Sequence, residues 1–253
     1  MTPAVTQPAV PMFYRGLTAL DPALHLGWGL RGQAHFSAAA AANAVPLGVG
    51  EFWHASAHYP IVFGPAGASG FPIAITALVE GRNLFVDAAG QWLAGSYVPA
   101  WLRRYPFWMQ PDPDGQNASF WFDPHAQQVV PLHEYADARP LFDYQGNPNQ
   151  TLAQIVQFCQ QCQNDANHSY AFMQALEHHR LLVERQATVE LQPGKPYTLG
   201  GFRMVDMDAY HRLPDAVLAS WVRKGWASLV ALHHISVQQN WERLLALHRS
   251  QNG

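Results

Sequence analysis

Only four charged side chains, Arg15, Asp21, Arg31 and Glu51, occur in the first 79 residues of this 253-residue chain. A stretch so poor in charge cannot be a solvated surface along its whole length. It is either deeply buried or turned toward another subunit, and a homo-oligomer would meet the second condition. Charged residues make up 13% of the whole chain, well below the usual share, while aromatics reach 12% with nine Trp, so there is much apolar surface to hide. A chain of this length buries roughly 70–75% of its unfolded surface, enough for a large core. One domain over 1–253 is the economical expectation, with residues 1–12 as an extended, Pro- and Ala-rich arm.

The charge balance excludes one class of partner. Fifteen Lys+Arg stand against 18 Asp+Glu, so no basic surface suited to nucleic acid is implied. The first residues, MTPAVTQPAVPMFYRG, have neither a basic nor an apolar signal region, and no run of about 18 apolar residues exists to span a membrane. A soluble, cytoplasmic protein is expected. Two cysteines fit a reducing compartment.

Periodicity predicts an α+β fold: mainly antiparallel sheet in the N-terminal half with helices packed on it, and a helix-rich C-terminal half. Val49, Phe52, Trp53 and Ala57 follow a helical period that Pro60 ends. Ile61–Phe63 and 71–79 read as strands around a loop at 64–70, and Asn83–Asp87 reads as another. Phe107–Met109 and Phe120–Phe122 flank PDPDGQN, a hairpin pattern. A helix is expected near Thr151, with Leu152, Ile155, Val156, Cys159 and Cys162 on one stripe, and a second from about Ser169. Val189–Leu191 and Tyr197–Val205 read as strands at a sheet edge. Pro214 and Gly225 bracket a short helix. Residues 226–234 fit strand or helix, and Ser236 with Gln239 has capping-box spacing for a terminal helix.

Three constellations carry candidate chemistry, each beside a plainer reading. Glu51, His54 and His58 stand at i, i+3, i+7, so a helix would project them from one face, where they could hold Fe or Zn. Hydrogen-bonded structural histidines are the alternative in a chain with 13 His. Cys159 and Cys162 form a CxxC inside a helical stripe, which favours core packing over redox chemistry. The stretch Tyr97, Trp101, Arg103, Arg104, Tyr105 and Trp108 combines aromatic and guanidinium groups suited to an acidic ligand. Alternatively, one Arg pairs with Asp87 or Asp123 and the other covers an aromatic surface. No GxSxG, phosphate-binding loop or dinucleotide fingerprint is present.

A resemblance runs through nearly the whole chain. Glu51-Phe52, Tyr59-Pro60-Ile61-Val62-Phe63, Asn83-Leu84-Phe85-Val86-Asp87, Tyr97-Val98-Pro99-Ala100, Leu102-Arg103-Arg104-Tyr105-Pro106-Phe107, Leu141-Phe142-Asp143, Gly201-Phe202 and Val205-Asp206 resemble the SapC family in its order. The resemblance implies a bacterial protein of a family named for a surface-layer association, with no agreed catalytic residues to carry over.

Two functions follow as expectations. The first is a non-catalytic binding or accessory protein that recognises a peptide, glycan or partner protein through Tyr97, Trp101, Arg103, Arg104, Tyr105 and Trp108. The alternative is a metal-dependent oxygenase or hydrolase that uses Fe or Zn at Glu51, His54 and His58.

Overall fold

The computed structural model describes residues 8–32, 35–65, 71–112, 117–192 and 194–251. The chain forms two compact units, each made of two segments: residues 1–38 with 102–164, and residues 39–101 with 165–253. Both are built from antiparallel strands and helices, giving an α+β architecture. Of the expected arm, residues 8–12 are described and carry no regular element; residues 1–7, most of the 64–70 loop and the tip of PDPDGQN lie outside the described residues.

The first unit holds two small sheets. The hairpin Phe107–Pro111 with Ala118–Phe122 forms in the expected register, Trp108 opposite Trp121, and Thr18–Ala19 adds a third strand along Ala118–Phe122. In the other sheet, Trp28–Leu30 lies between Val129–Pro131 and Arg139–Pro140, with Leu30 opposite both Val129 and Arg139. The long helix Gln150–His178 begins in this unit, and the side chain of Asn149 caps it by accepting the Leu152 amide at 3.1 Å. Leu152 and Cys159 pack with Phe107, Phe122, Leu141 and Phe142 in the core, as the stripe predicted.

The second unit is built on a five-stranded sheet in the order Leu182–Gln192, Lys195–Val205, Ile61–Phe63, Pro72–Ile75, Ala44–Pro46. The two longest strands form a ribbon at the sheet edge, as expected, joined to the sheet where Arg203 faces Phe63. The charge-poor residues between Val45 and Leu78 supply much of its core: Phe52, Tyr59, Ile61, Val62, Phe63 and Ala74 are wholly buried. The C-terminal helix Trp226–Ser250 covers this core through Val230, His233, Val237 and Leu244.

Three expected features differ in the structure, two helix starts and one strand. Gln150–His178 form one helix that runs unbroken through Ser169, whose hydroxyl donates to the Asp165 carbonyl one turn back at 2.7 Å. Ser236 does not cap a new helix: its hydroxyl donates to the His233 carbonyl and accepts the Ile61 amide, so the helix runs through it. Asn83–Asp87 is no strand: its amides are spent on turns and single contacts, Phe85 on the Asn83 side chain, Val86 on the Asn83 carbonyl and Asp87 on the Gln91 carbonyl. Asn83 accepts from Phe85, Asp87 accepts from Ala89 and Gln91, and a single bridge joins Val86 to Trp92.

The Asp87 turn has a counterpart in the first unit. In Phe85-Val86-Asp87-x-x-Gly90-Gln91 and Leu141-Phe142-Asp143-x-x-Gly146-Asn147 the Asp carboxylate accepts amides two and four residues on, and the glycine takes a positive φ, 73° and 83°. Each turn closes an isolated bridge, Val86 with Trp92 and Phe142 with Pro148. The chemistry of Asp at the start and Gly in the left-handed position dictates the same loop twice.

Candidate functional site

Sheet register in the first unit assembles an arginine-lined cavity. Arg31 follows the central strand directly, and its amide donates to the Gln128 carbonyl at 2.7 Å. Arg139 stands opposite Leu30 on the neighbouring strand. The start of the long helix presents Thr151, Gln154, Ile155 and Phe158, a spacing that puts them on one face. The helical turn Ala100–Arg103 and the residues after it bring in Arg103, Arg104 and Tyr105. The cavity between them measures about 290 Å³.

Its charge is one-sided. The first unit contains five basic residues, Arg15, Arg31, Arg103, Arg104 and Arg139, and four of them line this cavity. No Asp or Glu is among the described residues that line it. Arg31 makes an exposed paired contact with Asp137, 3.0 Å to each carboxylate oxygen, and lies over the Tyr135 ring. The Arg103 guanidinium sits 5.0 Å from the Phe158 ring centre, and Arg104 lies 4.0 Å over Trp108. Arg103 is exposed and Arg104 half-buried. Aromatic faces hold the guanidinium planes while their edges can donate to an anion. The helix N-terminus at Gln150 adds positive potential on the same side.

A second, larger cleft of about 820 Å³ adjoins the cavity, and the two share Arg31, Gly32, Tyr105 and Gln128. Asp123, completely buried, organises its wall: the carboxylate accepts the Arg15 amide at 2.8 Å, the His125 amide at 2.9 Å and the Tyr105 hydroxyl at 3.4 Å. Burial, with Asp123 adding to it, pushes the Tyr105 phenol up to about 12. At the cleft's rim a turn closed from the Tyr14 amide to the Pro11 carbonyl holds Phe13 at φ 77°. That region costs a bulky L-residue about 1–2 kcal/mol. The Tyr14 hydroxyl, bonded to the Phe107 carbonyl at 2.7 Å, anchors the turn.

The sequence description of the SapC family matches residues 20–244. The chain belongs to the SapC family. The match extends through both units, so the arginine cavity lies within the SapC region. Neither curated proteins nor solved structures returned a match.

The aromatic and Arg candidates of this SapC chain divide. Arg103, Arg104 and Tyr105 line the cavity, and Trp108 stands behind it as the surface under Arg104. Tyr97 belongs to the second unit, where its hydroxyl donates to Glu51 at 3.0 Å and its ring stacks on His54; half-buried Trp101 falls in the same unit. Arg31 and Arg139 were missed because strands of two and three residues give no register signal.

The structure does not bring Glu51, His54 and His58 together as a metal-holding group. Among the described residues no three His, Cys, Asp or Glu side chains are so placed. The expected helix is only Val49–Glu51 in 3-10 form followed by Phe52–Ala55, and side chains accept the amides at 48–50 that open it. Glu51 accepts from the Gly48 amide at 2.7 Å, the Ala100 amide at 2.6 Å and Tyr97. Ser169 takes the Val49 amide and Asp165 the Gly50 amide, which fastens this loop to the long helix. Burial raises the pKa of both Glu51 and Asp165. His58 is lowered, chiefly by burial and then by Arg243. No helix among the described residues is long and apolar enough to cross a membrane.

Proposed function

We propose that the protein is a non-catalytic binding protein whose first unit recognises an anionic group, a carboxylate or phosphate, on its ligand. One observation carries the reading: four of the unit's five basic residues, far apart in sequence, converge on one cavity lined by no carboxylate among the described residues. Guanidinium groups held by aromatic faces and by Asp137 are pre-ordered donors, and pre-ordering reduces what binding costs in side-chain entropy. Thr151, Gln128 and Gln154 supply neutral hydrogen-bonding groups that orient the rest of the ligand. A cavity of this size takes an acidic group and its immediate neighbours rather than a whole polymer.

The test is thermal unfolding with inorganic phosphate, succinate or galacturonate, against chloride at equal ionic strength. An anion present at a hundred times its dissociation constant stabilises the folded state by about 2.7 kcal/mol and raises the melting temperature. If none of the three raises it above the chloride control, the reading fails.

A further inference from the structure

The adjoining cleft is far larger than an acidic group needs, and it shares four residues with the arginine cavity. A ligand anchored by its anion can therefore extend from the cavity into the cleft. We propose that this ligand is an acidic oligosaccharide, with one carboxylate-bearing sugar in the arginine cavity and the next part of the chain lying along the cleft against Phe13. The proposal rests on the anion-binding reading of the same site.

The lining of the cleft favours sugar over peptide. An extended peptide is often held by main-chain pairing along an open strand edge. Here the walls at 13–15, 31–32, 35–38, 125–128 and 137 carry no strand. His35, Ser37, His125, Gln127 and Asp137 offer a hydroxyl, imidazoles, an amide and a carboxylate, donors and acceptors in close succession. Such pairs match the adjacent hydroxyls of a pyranose, each both donor and acceptor. Phe13 provides the flat apolar face against which the C–H side of a sugar ring packs.

Phe13 is also where the backbone is strained. Its turn position, with φ 77°, is one that glycine fills without penalty, yet a half-buried phenylalanine occupies it at the edge of the cleft. Strain maintained at a ligand-facing position is the pattern expected where the side chain serves binding rather than folding. Buried Asp123 fixes the backbone of Arg15 and His125 and the Tyr105 hydroxyl, so the cleft's far wall is set before the ligand arrives.

Calorimetric titration with galacturonate, a tetragalacturonate, the neutral oligosaccharide maltotetraose and tetraglutamate tests this on the full chain and on Phe13→Gly. Galacturonate should bind, tetragalacturonate should bind more tightly, and maltotetraose should bind far more weakly than either. Phe13→Gly, which keeps the turn and removes the ring, should weaken tetragalacturonate about tenfold, the order of one lost ring-stacking contact. It should leave galacturonate unchanged. Equal affinity for galacturonate and its tetramer, or an unaltered tetramer affinity in Phe13→Gly, overturns the oligosaccharide proposal while the anion site stands. Tetraglutamate binding more tightly than tetragalacturonate also overturns it, in favour of an acidic peptide. Absence of binding by every acidic probe overturns both readings.

Discussion

His233 makes the second unit acid-sensitive in a way that can be calculated. It is 1% exposed, its Nδ1 donates to the Ile61 carbonyl at 2.7 Å, and its Nε2 accepts the Val205 amide at 3.2 Å. Both nitrogens are satisfied only by the neutral ring, so it links the C-terminal helix to two strands without carrying charge. Burial lowers its pKa from 6.5 to about 4. Between those values the unfolded chain holds a proton that the native chain cannot, so stability is full above pH 6.5 and is lost as pH falls toward 4. Each pH unit costs about 1.4 kcal/mol, for a total of about 3 kcal/mol by pH 4. The raised carboxyl groups Glu51 and Asp165 act with the opposite sign, gaining stability as pH falls. Comparison with His233→Gln cancels them. Urea unfolding followed by tryptophan fluorescence at pH 7.0, 5.5 and 4.0 should find the variant less stable at pH 7, by roughly 1–3 kcal/mol from its disrupted buried hydrogen bonds. The gap should close by about 3 kcal/mol at pH 4. Parallel pH profiles for the two proteins would refute the reasoning.

Other outcomes follow from the same geometry. A Cβ on Gly48 would fall 1.7 Å from Asp165 Oδ2, so Gly48→Ala must displace the carboxylate that holds the Gly50 amide. A loss of roughly 1–3 kcal/mol is expected in chemical denaturation, and much less when Asp165→Ala is already present; equal losses in both backgrounds would contradict the clash. The Cys159 thiol is buried and pushed up to about 12, chiefly by burial, while Cys162 is half-buried. A thiol reagent at pH 8 should modify Cys162 in the native protein and Cys159 only after unfolding, as peptide mapping would show.

What the sequence revealed and what it hid divide along the range of the interactions. The hairpin at Phe107 and Phe122, the edge ribbon ending at Val205 and the helix between Pro214 and Gly225 were legible because periodicity and turn chemistry act within a few residues. Ser236 misled because a serine on a helical period looks like a cap, and its actual partner, the Ile61 amide, is remote in sequence. Glu51, His54 and His58 looked convergent on an ideal helix, but the regular helix there is only Phe52–Ala55, which leaves Glu51 and His58 outside it. Arg103 and Arg104 stood out beside their aromatic neighbours. Arg31 and Arg139 did not, since only the pairing of Leu30 with Arg139 brings them to the same cavity. The Asp-x-x-Gly turns at 87 and 143 were visible in the letters but separate in context, and their likeness emerges from matching hydrogen bonds.

The central claim is that the cavity formed by Arg31, Arg103, Arg104 and Arg139 binds an anion. Its most direct measurement is the calorimetric affinity for galacturonate of the wild type and of Arg103→Ala/Arg139→Ala, two exposed positions whose truncation leaves the core intact. Loss of hydrogen bonds to a charged group is worth about 1.5–3 kcal/mol each, so affinity should fall at least tenfold with the melting temperature unchanged. Equal affinity in the two proteins would contradict the account.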